Sequence, residues 1–155
     1  MADGIDRTAG AAASRPTGRI AELALVFIGG AAGSLARFGL AVALGAGAEA
    51  DGWPLGTFAA NLTGAFLLGL LVESLGRIGP DAGRLRSARL LLGTGVLGGF
   101  TTYSMFATEV AQLLLALRPL EGLAYALVTL VVGGAASWAG VLAARGLARR
   151  RGGAT

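Results

Sequence analysis

Four long apolar stretches dominate the chain, over residues 20–45, 53–76, 88–117 and 120–147, with short polar connections between them. A hydrocarbon core about 30 Å thick takes about 20 apolar helical residues, so each stretch is long enough to cross a bilayer. The pattern predicts an all-α integral membrane protein with four transmembrane helices over residues 20–147. Residues 1–19 are small, polar and Pro-containing and have no apolar run, so they read as a disordered tail and not as a signal peptide. Residues 148–155 read as a short basic tail.

The third stretch departs from a simple span. As one continuous helix its roughly 30 residues would extend about 45 Å, well beyond the hydrocarbon thickness. The run Gly98-Gly99-Phe100-Thr101-Thr102-Tyr103-Ser104 places two poor helix formers before β-branched and hydroxyl residues that compete for backbone hydrogen bonds. A break across this run is expected. Unwound backbone at membrane depth survives only where protein or a polar cavity surrounds it, and its carbonyls then suit a hard monovalent cation.

Composition sharpens the picture. With 54% hydrophobic and 14% charged residues and a mean hydropathy of +0.69, the chain has too little polar surface to coat a soluble globule. The absence of Cys and His removes thiol nucleophiles, imidazole bases, disulfides and the usual soft-metal ligands. The net charge of +4 comes entirely from arginines, most of which flank the apolar stretches. That is a membrane-topology pattern, and a nucleic-acid reader has no place in it. Arg7, Arg15 and Arg19, then Arg77, Arg84, Arg86 and Arg89, then Arg145, Arg149, Arg150 and Arg151 fall on one side of the membrane. Only Arg118 lies in a connection on the other side, where residues 46–52 carry Glu49 and Asp51. The positive-inside rule therefore expects a multi-pass protein of the plasma (inner) membrane with both termini in the cytoplasm.

Candidate chemistry is sparse and lies inside the spans. Gly29 with Gly33, and Gly95 with Gly99, are four apart and let helix backbones approach closely in lipid. Asn61, near the middle of an apolar run with Thr57 and Thr63 nearby, is either interhelical glue or a pore-lining donor. Tyr103 and Phe106 share a helix face, where they either pack or turn their positive ring edges toward an anion. Tyr125 and Thr129 set two hydroxyls on one face, with interhelical hydrogen bonding as the default. Arg37 is the one base well inside a span and suits a polar vestibule. Glu73 and Glu109 are acids within span ends, with no basic partner evident from local spacing. The string Gly93-Thr94-Gly95-Val96-Leu97-Gly98 matches a dinucleotide fingerprint in letters only, because no βαβ unit surrounds it.

Three ordered motifs bring these features together. They are Gly29-Gly30-Ala31-Ala32-Gly33-Ser34-Leu35-Ala36-Arg37-Phe38, then Pro54-Leu55-Gly56-Thr57-Phe58-Ala59-Ala60-Asn61-Leu62-Thr63-Gly64-Ala65-Phe66, and Gly98 through Phe106 followed by Glu109. The chain resembles the Fluc/CrcB fluoride channel family along all four spans. The resemblance implies a passive fluoride channel that lowers toxic cytoplasmic fluoride, built as an antiparallel dimer with two pores. It implies a structural, untransported sodium on the backbone carbonyls of Gly98 and Thr101. It also implies pore-lining roles for Asn61, Tyr103, Phe106, Tyr125 and Thr129, and vestibule positions for Arg37 and Glu109. Two residues depart from the family pattern: Tyr103 stands where Phe is commoner, and Gly133 stands where a further hydroxyl is expected. The arginine bias is also at odds with one sequence inserting both ways. Of a homodimer and an antiparallel dimer with a homologous chain, it favours the second. A small proton-coupled exporter is the main rival reading, although the first span's one acid, Glu22, lies at its start.

Overall fold

The computed structural model of the chain describes residues 16–44 and 53–152. Most of the amino-terminal tail, the connection bearing Glu49 and Asp51, and residues 153–155 lie outside the described residues. Four helices are long and apolar enough to cross a membrane, and no strand occurs among the described residues. Helix α1 is Pro16–Ala43, starting inside the segment assigned to the tail, and α2 is Leu55–Ile78. The third span, Gly83–Leu115, is composite. It comprises α3 (Gly83–Ala88), a π-helical segment Arg89–Leu97, α4 (Gly98–Phe100) and α5 (Tyr103–Leu115). Helix α6, Pro119–Gly152, completes the chain.

The turn between α5 and α6 follows from hydrogen bonding at a helix end. The Arg118 amide donates to the Leu113 carbonyl at 2.9 Å and the Leu117 amide to Leu114 at 3.1 Å, the paired bonds of a Schellman motif. Leu117 occupies its left-handed position with φ 58°, at a cost of about 1–2 kcal/mol for a residue with a Cβ. Pro119 then opens α6, where a missing amide hydrogen leaves nothing unsatisfied.

Small residues build the interior. Helix α1 lies against the π-helical segment and α4, and α2 lies against α6. A Cβ on Gly29 would come within 2.9 Å of Gly95 Cα, and one on Gly33 within 2.8 Å of the Phe100 amide nitrogen. Across the other pair, a Cβ on Gly69 would meet the Ser137 carbonyl and one on Gly140 that of Phe66. Backbones meet directly at these points, which is how membrane helices gain van der Waals contact when lipid offers no hydrophobic drive for association. Tyr125 is the one large, fully buried side chain among the described residues, whereas Phe27, Leu35, Phe38 and Leu130 face outward.

Candidate functional site

The third span is interrupted where α4 ends. Thr101 (φ −81°, ψ 157°) and Thr102 (φ −149°, ψ 119°) are extended, and helical geometry resumes at Tyr103. Gly98 and Gly99 themselves are helical, so the non-helical backbone is shorter than the run expected from sequence. Both the amide and Oγ1 of Thr101 donate to the Leu97 carbonyl, at 3.0 and 2.9 Å. Thr102 caps α5: its Oγ1 accepts from the Met105 amide at 3.2 Å, and its extended φ and ψ are those of an N-cap.

Asn61, on α2, clasps the interruption from the side. Its Nδ2 donates to the Thr102 carbonyl at 3.0 Å and its Oδ1 accepts from the Thr102 amide at 2.8 Å. The carboxamide thus pairs with extended backbone as a neighbouring strand would. The carbonyls of Gly98, Gly99, Phe100 and Thr101, one turn before the resumed helix, lose their usual helical donors. The Thr102 amide, which would serve the Gly98 carbonyl, goes to Asn61, and the Met105 amide, which would serve Thr101, goes to Thr102 Oγ1. From α1, Arg37 Nε donates to the Gly99 carbonyl at 3.2 Å, joined by Ser34 Oγ at 3.4 Å. Arg37 also reaches Met105 Sδ at 3.4 Å.

A groove of about 450 Å³ opens on this backbone. Asn61, Gly98, Thr101, Tyr103, Phe106 and Thr129 all line it, so six of the sequence-derived candidates share one cavity. Gly133 lines it too and leaves that stretch without a hydroxyl. The Tyr103 and Phe106 rings lie 6.1 Å apart, tilted at 47°, and Tyr103 is 80% exposed. Thr129 Oγ1 is buried beside the Tyr125 hydroxyl.

Tyr125 and Glu109 sit behind Phe106. The Tyr125 ring is 5.4 Å from Phe106 and 5.6 Å from Trp53, and its hydroxyl donates to Glu109 Oε2 at 2.8 Å. Thr57 Oγ1 donates to the other carboxylate oxygen at 2.5 Å. Tyr125 is therefore a wall of the site and not part of the groove surface, and Glu109 is held by two hydroxyls. Glu73 corrects the expectation that it lacks a local partner: Arg77, four residues on, pairs with it at 2.7 Å, and Arg145 joins at 3.1 Å. Sequence reasoning gave no site role to Thr57, Ser34 or Trp53. Thr57 is four residues from Asn61 and Ser34 three from Arg37, so same-face spacing was the available signal.

Among the described residues no cluster of His, Cys, Asp or Glu can hold a metal ion. The oxygens suited to a cation are backbone ones, and the Gly98 and Thr101 carbonyls relieved of helical bonding fit a hard monovalent ion by their chemistry. The donors around the groove, by contrast, are amide and hydroxyl hydrogens and ring edges, which suit a small anion.

Comparison with known proteins points the same way. The family described as CrcB-like protein, Camphor Resistance (CrcB), matches residues 24–141. The chain is 46% identical over 131 residues to fluoride-specific ion channel FluC 2 of Leifsonia xyli, covering 84% of this chain and 88% of that one. It is 46% identical over 121 residues to fluoride-specific ion channel FluC 1 of Cutibacterium acnes, covering 78% and 83%. Against fluoride-specific ion channel FluC of Phenylobacterium zucineum the identity is 46% over 127 residues, covering 79% and 94%.

Proposed function

The chain belongs to the CrcB family, and from that membership we infer that it is a fluoride-specific ion channel, not an enzyme, which exports fluoride passively and lowers its cytoplasmic concentration. The observation that carries the reading is the groove, where neutral donors and ring edges collect beside an interrupted helix. Taking a compact ion out of water costs about 20 kcal/mol before relaxation. Many weak donors in series can offset that without a full charge that would trap the ion. Asn61 Nδ2 spends one hydrogen on Thr102, which leaves the other for the groove. Thr129 and Tyr103 add hydroxyls, and Phe106 adds a ring edge. Arg37 and Glu109, both in the parts of their spans toward the end that holds the turn between α5 and α6, would bias that end of the path electrostatically.

The finer reading concerns assembly. A sodium ion bound by the Gly98 and Thr101 carbonyls would supply fixed positive charge beside the path. Two carbonyls cover only part of a cation's coordination sphere, so a second chain related by a two-fold axis would complete it. The broken third span and the exposed Tyr103 support an antiparallel dimer with the groove facing the partner. The one-sided arginines favour a homologous chain inserted the opposite way over a second copy.

The test is efflux from liposomes. Purified protein, alone and with its homologous partner, should release fluoride down its gradient once an ionophore balances charge, while chloride stays inside. Release that requires a proton gradient, or equal release of chloride, would overturn the channel reading.

A further inference from the structure

Seven arginines at the end of the bundle that holds the connection between α2 and α3 fall into two tiers. In the inner tier every guanidinium has a carboxylate. Glu73 takes Arg77 at 2.7 Å and Arg145 at 3.1 Å, Glu22 takes Arg86 at 2.8 Å, and Asp81 takes Arg89. These pairs tie α2 to α6 and α1 to α3, and they use the three described acids of this end. Arg84, Arg149 and Arg150 make up the outer tier. They are exposed, and none has a counter-ion among the described residues.

Depth separates the tiers. Arg149 and Arg150 lie four and five residues beyond Arg145, or about 6–7.5 Å along α6. Arg84 lies two residues before Arg86 and five before Arg89, about 3 and 7.5 Å outward along the third span. A bilayer of about 40–45 Å with a core of about 30 Å has a headgroup layer about 5–7 Å thick on each side. With the paired tier at the edge of the hydrocarbon, the unpaired tier falls within the headgroups. The half-exposed guanidiniums of the inner tier take protein carboxylates, whereas those in the headgroup layer can take phosphate oxygens from lipid, for which the planar guanidinium is well matched.

We propose that Arg84, Arg149 and Arg150 form a docking surface for acidic phospholipid headgroups. The surface holds this end of the bundle in the leaflet richer in anionic lipid, which in a cell is the cytoplasmic one. The inference rests on charge placement alone and stands whichever ion the groove passes.

The experiment uses the purified full-length protein in detergent micelles doped with fluorescent phosphatidylglycerol or phosphatidylcholine, with binding followed by anisotropy. Phosphatidylglycerol should bind at least tenfold more tightly than phosphatidylcholine. The triple variant Arg84→Gln, Arg149→Gln, Arg150→Gln should lose about tenfold or more of that affinity, with each single variant losing up to about fivefold. Arg118→Gln, at the far end where Arg118 pairs with Glu121, should bind as the unaltered chain does. If the triple variant fails to elute as the native assembly, the single variants carry the test. Equal affinity for the two lipids, or phosphatidylglycerol binding that survives the substitutions, overturns the proposal.

Discussion

Asn61 shows how one side chain sets the geometry of a whole site. Its carboxamide offers both a donor and an acceptor at the spacing of extended backbone, and Thr102 answers with its carbonyl and amide. Asn61→Asp would replace the donor with a second acceptor facing the Thr102 carbonyl. The expected outcome is a loss of about 1–3 kcal/mol in stability and at least a tenfold fall in fluoride efflux, read by thermal unfolding and by the liposome assay. Efflux within twofold of normal would remove Asn61 from both the clasp and the path. The residue was legible in sequence as a polar group in an apolar run. Its partner was not, because the bond spans 41 positions along the chain. Glu109 poses the same problem: its two hydroxyl donors come from α2 and α6, far from it in sequence.

Elements read well by length and less well by internal geometry. The apolar stretches gave the four spans, and the glycines at four-residue spacing pointed to close backbone contact, which Gly29, Gly33, Gly95 and Gly99 make with one another's helices. The π-helical segment Arg89–Leu97 left no signal, because its residues would serve an α-helix equally well. The interruption is likewise narrower than composition suggests. Gly98 and Gly99 are poor helix formers on their own, yet both are helical here, with Gly99 packed closely on Gly30. A sharp contrast follows within α1. Gly33→Ala drives a methyl into the Val96 carbonyl and should cost about 1–3 kcal/mol or more, whereas Gly39→Ala meets nothing within 4 Å and should be neutral to stabilising by up to about 1 kcal/mol. Melting temperatures of the two variants in detergent provide the check, and equal values would show that the α1 contact carries no load.

The molecule as a whole is a thin bundle with its large side chains turned outward, the arrangement expected where lipid or another chain supplies the remaining contacts. Its charge is lopsided. A reporter fused to the carboxyl terminus should therefore signal from the cytoplasmic face alone, and equal signal from both faces would defeat the fixed orientation and with it the need for a homologous partner. The number of spans, the arginine asymmetry and the residue types available for chemistry were all determined by sequence alone. Hydrophobic run length and charge are local, additive properties that survive without knowledge of the fold. The tertiary structure decided which of those residues meet. It drew Asn61, Gly98, Thr101, Tyr103, Phe106 and Thr129 around one groove, and it set Tyr125 behind the groove as a wall. It also exchanged two helical hydrogen bonds for the Asn61 clasp and the Thr102 cap. Those outcomes depend on which backbones meet at the glycines and on hydrogen bonds between distant helices; glycine spacing marks where one helix can pack closely, but not against which partner.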